Sequence, residues 1–216
     1  MSKLLVKICG ITKVEDAQCA VKAGADALGF MFWHMSTRKL DPSFAAEIAR
    51  TLPSTVRRVG VFVNEPREEM ARMADAVGLD LLQLHGDEPP EALEGLPRPA
   101  IKAVRVGKGF ASEEAMRYAS KAAGILVDTR LPGETQLPGG TGVSFDWSLV
   151  RGLAERVPFL MLAGGLDPLN VAEAIRAVRP HAVDVSSGVE SLPGRKDPEK
   201  VRAFVRAARE AEGTLT

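Results

Sequence analysis

Cysteine is scarce in this chain of 216 residues: only Cys9 and Cys19 occur. They form no CxxC pair, so the sequence offers neither a disulfide framework nor a zinc ribbon. Histidine is equally thin, and His34, His85 and His181 stand too far apart for metal-ligand spacing, so no metal is expected. Net charge is absent too, because 28 basic residues face 28 acidic ones. A nucleic-acid binder would show a basic excess, so that class is excluded. No apolar run approaches the ~18 residues of a membrane span, and Lys7 interrupts the opening segment before it can form a secretory core. No Gly/Ser- or Pro-rich linker divides the chain. These absences leave one domain over residues 1–216, with a cytoplasmic location and neither membrane nor nucleic acid as partner.

What is present is a strict alternation. Hydrophobic residues are 45% and charged residues 26% of the chain, as in an ordinary globular domain. Short apolar runs near 4–9, 27–32, 58–63, 80–85, 100–105, 124–128, 158–163 and 182–186 read as strands. Segments of helical period follow each, near 14–23, 42–52, 67–77, 89–95, 112–122, 146–155, 168–178 and 198–211. Met70, Met73, Ala74 and Val77 repeat at i, i+3, i+4 and i+7, as do Val201, Phe204, Val205 and Ala208. Asp41-Pro42, Asp167-Pro168 and Asp197-Pro198 each offer an N-cap carboxylate before a proline at the first helical position. Strand–helix alternation implies a parallel sheet with helical crossovers. Eight units fit an α/β fold, a single (β/α)8 TIM barrel at the lower end of its size range. An open doubly wound sheet is the competitor, but Cys9-Gly10-Ile11-Thr12 at the first strand–helix turn lacks GxGxxG.

In such a barrel the chemistry sits at the C-terminal ends of the strands. Residues two apart on a strand share a face, so Lys7 and Cys9 point together, as do Gln83 and His85, Leu126 and Asp128, and Asp184 and Ser186. Ile8, Leu84, Val127 and Val185 then face the helices. Lys102 is a further candidate for the interior group. Burying these polar groups without partners costs roughly 1–3 kcal/mol each, which a ligand-binding mouth explains and a packed core does not. Cys9, beside the Lys7 ammonium that favours a thiolate, and Asp128 form a candidate pair for proton transfer. Cys9 as a small core residue and Asp128 as a cap are the plain alternatives.

Glycine clusters mark the last three strand ends. Gly140, Thr141 and Gly142 follow strand 6, Gly164 and Gly165 end strand 7, and Ser186, Ser187 and Gly188 end strand 8. Such turns let backbone N–H groups approach an anion closely, and barrels often bind phosphate after strands 7 and 8. The expected partner is therefore a phosphorylated small molecule. Arg38, in the loop after strand 2, offers a guanidinium that fits a carboxylate, and His85 a hydrogen bond to the same group. An exposed basic pair, Arg38-Lys39, and a satisfied rim histidine are the alternatives.

Seven ordered segments carry a resemblance. They are Lys7-Ile8-Cys9-Gly10-Ile11-Thr12, Gly60-Val61-Phe62-Val63-Asn64, Gln83-Leu84-His85-Gly86, Val127-Asp128-Thr129, Gly139-Gly140-Thr141-Gly142 with Phe145-Asp146-Trp147, Leu162-Ala163-Gly164-Gly165-Leu166, and Asp184-Val185-Ser186-Ser187-Gly188-Val189-Glu190. Gly194-Arg195-Lys196-Asp197 stands behind the last. From end to end the chain resembles the phosphoribosylanthranilate isomerases of tryptophan biosynthesis. The resemblance implies an Amadori rearrangement of N-(5-phosphoribosyl)anthranilate without a cofactor, with Cys9 as general base and Asp128 as general acid. It also implies Arg38 on the anthranilate carboxylate and Asp184 on sugar hydroxyls, with Lys7 and His85 beside the substrate. A histidine-pathway isomerase would carry an aspartate at Cys9, and a catalytically silent phosphate-binding barrel would need neither Cys9 nor Asp128. Thr37 stands where the family's Ser-Pro-Arg loop has proline, which leaves the rigidity of that loop open. Composition does not choose between a monomer and a homodimer.

Overall fold

The computed structural model describes residues 3–129 and 144–214. Eight strands close into a parallel barrel in sequence order: β1 (Leu5–Cys9), β2 (Ala27–Met31), β3 (Arg57–Phe62), β4 (Leu81–Leu84), β5 (Ala100–Val106), β6 (Gly124–Thr129), β7 (Leu160–Leu162) and β8 (Ala182–Val185). The last strand pairs with the first, placing Lys7 opposite Asp184. On the other flank Cys9 lies opposite Gly29. Helices α1 (Val14–Ala23), α2 (Pro42–Arg50), α3 (Arg67–Val77), α4 (Ser112–Met116), α5 (Val171–Val178) and α6 (Pro198–Gly213) cover the outside. Among the described residues no helix is long and apolar enough to cross a membrane.

Burial separates the two faces of the sheet as the alternation requires. Ile8, Leu84, Val127 and Val185 belong to the large shell between sheet and helices, with the α3 and α6 stripes. Ile101, Ala103, Leu126, Met161, Ala163 and Ala182 form a second, smaller cluster inside the barrel. That interior cluster fills the lumen below the polar strand ends and makes the barrel a packed body rather than a pore.

Four of the expected helices are shorter or different in kind. The 89–95 segment is one 3-10 turn, Pro90–Leu93, because prolines crowd its start and Gly95 takes a left-handed backbone at its end. The 146–155 segment splits into two 3-10 turns, Trp147–Val150 and Leu153–Glu155, at the left-handed Gly152. Over 112–122 only Ser112–Met116 is α-helical, and the bonds beyond it include i to i−3 spacing. Asp41 and Asp197 cap α2 and α6 as expected, accepting from Ser43 and from Glu199 and Lys200. Asp167 instead closes a turn, accepting from Leu169 and Asn170, and α5 starts at Val171. An element absent from the expected alternation follows β8: a 3-10 turn over Ser187–Val189, then the antiparallel pair β9 (Glu190–Leu192) and β10 (Arg195–Lys196).

Candidate active site

The inner faces of β1, β4, β6 and β8 meet at the C-terminal end of the barrel. Lys7 is 1% exposed, yet its Nζ finds only an ion pair, 2.9 Å from Asp184 Oδ1 and outside hydrogen-bond geometry. The Cys9 thiol lies on the same face of β1, near enough for the Lys7 charge to act on it. On the other side of the mouth, the Gln83 amide lies 2.9 Å from His85 Nδ1. With that amide donating, the ring proton sits on Nε2, which faces Asp128 Oδ2 at 3.2 Å. Asp128 Oδ1 accepts from the Thr129 N–H at 2.7 Å.

Lys7 Nζ, Gln83 Oε1, His85 Nε2 and Asp184 Oδ1 are buried without a hydrogen-bond partner, and all four lie in this mouth. Among the described residues only Trp147 Nε1 shares that condition elsewhere. Lys7 and Asp184 face each other, and His85 faces Asp128, at ion-pair distance but without hydrogen-bond geometry. Buried polar groups left short of hydrogen bonds are costly, so their gathering in one place marks a ligand site rather than a core.

The electrostatics modify one expectation. Burial pushes the Cys9 thiol above its ordinary value of 9.0, and the Lys7 charge pulls it back only in part. Lys7 therefore assists ionisation without overcoming burial. Lys7 itself is raised: burial would lower it, but Asp184 and Cys9 outweigh that. Room for the pair comes from β2, where a Cβ on Gly29 would fall 2.7 Å from Cys9 Sγ. Sequence reasoning assigned Gly29 no role, and only its register opposite Cys9 reveals one.

Lys102 departs from its expected place. Ile101 and Ala103 point inward, so Lys102 points outward, where its Nζ reaches Glu88 Oε2 and the carbonyls of Leu84, Gly86 and Ala103. It also sits over the Tyr118 ring.

Around the mouth, Gly164 and Gly165 follow β7 in left-handed backbone, and their N–H groups donate to no other described residue. Gly188 packs against the same turn, since a Cβ there would lie 2.0 Å from Leu166 O. Ser186 and Ser187 lead into that contact, so the strand 7 and strand 8 turns abut. Gly140, Thr141 and Gly142 lie outside the described residues. Arg38 reaches the rim with its guanidinium on Glu190, Nε to Oε1 at 2.8 Å and Nη2 to Oε2 at 2.7 Å. The Arg38 N–H bonds to Ser36 Oγ at 3.1 Å, so the loop is tied down without the proline. Glu190 and Lys196 carried no assigned role in the sequence, although both stand in matched segments. Among the described residues no group of three or more His, Cys, Asp or Glu side chains is placed to hold a metal.

Comparisons with known proteins agree with one another. The family model described as N-(5'phosphoribosyl)anthranilate (PRA) isomerase matches residues 6–207. An N-(5'-phosphoribosyl)anthranilate isomerase from Pseudomonas putida (strain W619) is 51% identical over 98% of this chain and all of its own. The phosphoribosyl anthranilate isomerase of Thermotoga maritima superposes with a TM-score of 0.89 at 45% identity, covering 96% of this chain and 100% of its own. A further phosphoribosyl anthranilate isomerase structure, in complex with reduced 1-(o-carboxyphenylamino)-1-deoxyribulose 5-phosphate, gives 0.86 and 43% over 96% and 100%. With matches across nearly its whole length, this chain belongs to the phosphoribosylanthranilate isomerase family.

Proposed function

We propose that this chain converts N-(5-phosphoribosyl)anthranilate to 1-(2-carboxyphenylamino)-1-deoxyribulose 5-phosphate by general acid–base catalysis, using no cofactor. The observation that carries the reading is the set of unmatched buried polar atoms around Cys9 and Asp128, in a chain of this family. Asp128 protonates the furanose ring oxygen, the ring opens, and the anilino nitrogen becomes an iminium. Cys9 takes the C2 proton, giving an enolamine that tautomerises to the ketone. Each proton transfer contributes about 10²–10⁴-fold. Lys7 lowers the cost of the Cys9 thiolate, and Asp184, its partner across the β1–β8 register, faces the sugar hydroxyls. His85 stands against Asp128 and contacts the substrate.

The Gly164 and Gly165 N–H groups, which donate to no other described residue, and the Ser186–Ser187–Gly188 turn hold the phosphate, and Gly140, Thr141 and Gly142 bind it as well. Arg38 holds the anthranilate carboxylate. Both thiols are free, and a reducing cytoplasm keeps Cys9 in the form this chemistry needs.

The test is turnover of phosphoribosylanthranilate, made in situ from anthranilate and phosphoribosyl pyrophosphate and followed by its fluorescence. Enzyme-dependent decay that falls by about 10²-fold or more in both Cys9→Ala and Asp128→Asn is expected. Decay unchanged in the variants would discard the acid–base assignment. No decay with a folded, phosphate-binding wild type would discard the reaction.

A further inference from the structure

Glu190 belongs to the short hairpin that the strand–helix alternation did not foresee, and its carboxylate collects four donors. Oε1 accepts from Arg38 Nε at 2.8 Å, from Lys196 Nζ at 2.9 Å and from the Gly194 N–H at 3.2 Å, while Oε2 accepts from Arg38 Nη2 at 2.7 Å. Such a carboxylate has no freedom to swing. Lys196, 2% exposed, also donates to Ser186 O at 3.1 Å, so Glu190 is tied to the turn beside the phosphate cradle. The hairpin is itself pinned to the first loop of the barrel: Thr12 Oγ1 donates to Gly194 O, and the Lys196 N–H donates to Asp16 Oδ2 at 2.9 Å.

Glu190 takes only one edge of the Arg38 guanidinium. A guanidinium has two edges that can each grip a carboxylate in a bidentate way. The Nε/Nη2 edge faces Glu190, and no described residue takes the Nη1/Nη2 edge. The stem of Arg38 crosses the chain next to Cys9: a Cβ on Gly10 would fall 2.6 Å from Arg38 Cδ and 3.1 Å from Ser186 Oγ. Any side chain there would push Arg38 off the mouth.

We propose that Glu190 is the positioning residue for Arg38, fixing its Nε/Nη2 edge so that the free Nη1/Nη2 edge is presented over Gly10 to the aryl carboxylate of the substrate. This rests on the reading of Arg38 as the carboxylate holder. Glu190 thereby supplies by side-chain pairing the fixation that proline would give the loop at Thr37. It also joins the carboxylate end of the site to the phosphate end through Lys196.

The experiment compares two probes by calorimetric titration. One is reduced 1-(o-carboxyphenylamino)-1-deoxyribulose 5-phosphate, and the other is its phenylamino counterpart without the carboxylate. Wild type is expected to prefer the carboxylated probe. Glu190→Gln is expected to weaken that probe about tenfold and to leave the phenyl probe within about twofold. Glu190→Asp, which keeps the charge but shortens the reach, is expected to fall between them and serves if the glutamine variant does not fold. Equal weakening of both probes would make Glu190 a general support of the site and overturn the proposal. Unchanged preference in both variants would overturn it while leaving Arg38 on the carboxylate. A wild type that does not distinguish the probes would remove the carboxylate reading itself, and the proposal with it.

Discussion

On the outer face of β5, the buried Lys102 ammonium meets Glu88 at 3.0 Å and three carbonyl oxygens between 2.7 and 3.3 Å. On the inner face of β1, the equally buried Lys7 meets Asp184 at 2.9 Å in poor geometry and otherwise only a thiol. Both are strand lysines paired with a buried carboxylate. The first is saturated, and it ties the β4–β5 connection to the barrel wall. The second keeps donors in reserve, beside other groups in the same state. Burial and charge alone do not separate structure from function here. The count of satisfied donors does.

The sharpest way to break this comparison is to remove each ammonium. Lys7→Met is expected to lower kcat/KM about 10²-fold or more, read in the fluorescence assay. Its thermal midpoint should fall less than that of Lys102→Met, because Lys7 gives up one ion pair where Lys102 gives up Glu88 and three carbonyl acceptors. Lys102→Met leaves the buried Glu88 charge without its counter-ion, although Oε1 keeps the Asn64 and Gly86 N–H groups, for an expected loss of about 3–5 kcal/mol in denaturant unfolding. The folded fraction of that variant should keep its kcat/KM. A stable Lys102→Met, or an active Lys7→Met, would dissolve the distinction.

Gly29→Ala comes next, since its Cβ would lie 2.7 Å from Cys9 Sγ. Overpacking of this kind costs about 1–3 kcal/mol, and the displaced thiol should lower kcat with little change in KM. Asp197→Ala removes the α6 cap and should cost about 1 kcal/mol in denaturant unfolding, which sets the scale for the loss of a single cap.

The smallest effect is in the alkaline limb of stability, and the two lysines give it opposite signs. Burial, against the opposing pull of Glu88, holds Lys102 below 10.5. Its penalty is full below the folded value and gone above 10.5, so this term makes stability rise with pH through that window. Lys7 is held above 10.5, so its contribution is full below 10.5 and is lost as pH rises through the folded value. Unfolding of wild type and both methionine variants between about pH 8 and 11 reads the two slopes.

Much of this was legible in the residues. The alternation of strand and helix gives the barrel, because each period buries a different face. The same parity brings Lys7, Cys9, His85, Asp128 and Asp184 into one mouth. It fails at Lys102, where the run Ala100–Val104 is apolar on both sides and nothing in the pattern says which face is inner. The β9–β10 hairpin escaped for another reason. Its strands are three and two residues long around a Pro-Gly turn, too short to show a period, and so the partnership of Glu190 with Arg38, 152 positions apart, had no local signal. Gly29 is silent in sequence because its role is the space it leaves for a neighbour on another strand.

The central claim is that Cys9 removes the C2 proton after Asp128 opens the ring, and substrate deuterated at ribose C2 addresses it directly. Single-turnover rates would be measured for wild type, Cys9→Ser and Asp128→Asn. A slower proton abstraction in Cys9→Ser should bring out a full primary isotope effect, whereas Asp128→Asn should suppress it by making ring opening limiting. An isotope effect that is absent from a slowed Cys9→Ser, or undiminished in Asp128→Asn, would contradict the account.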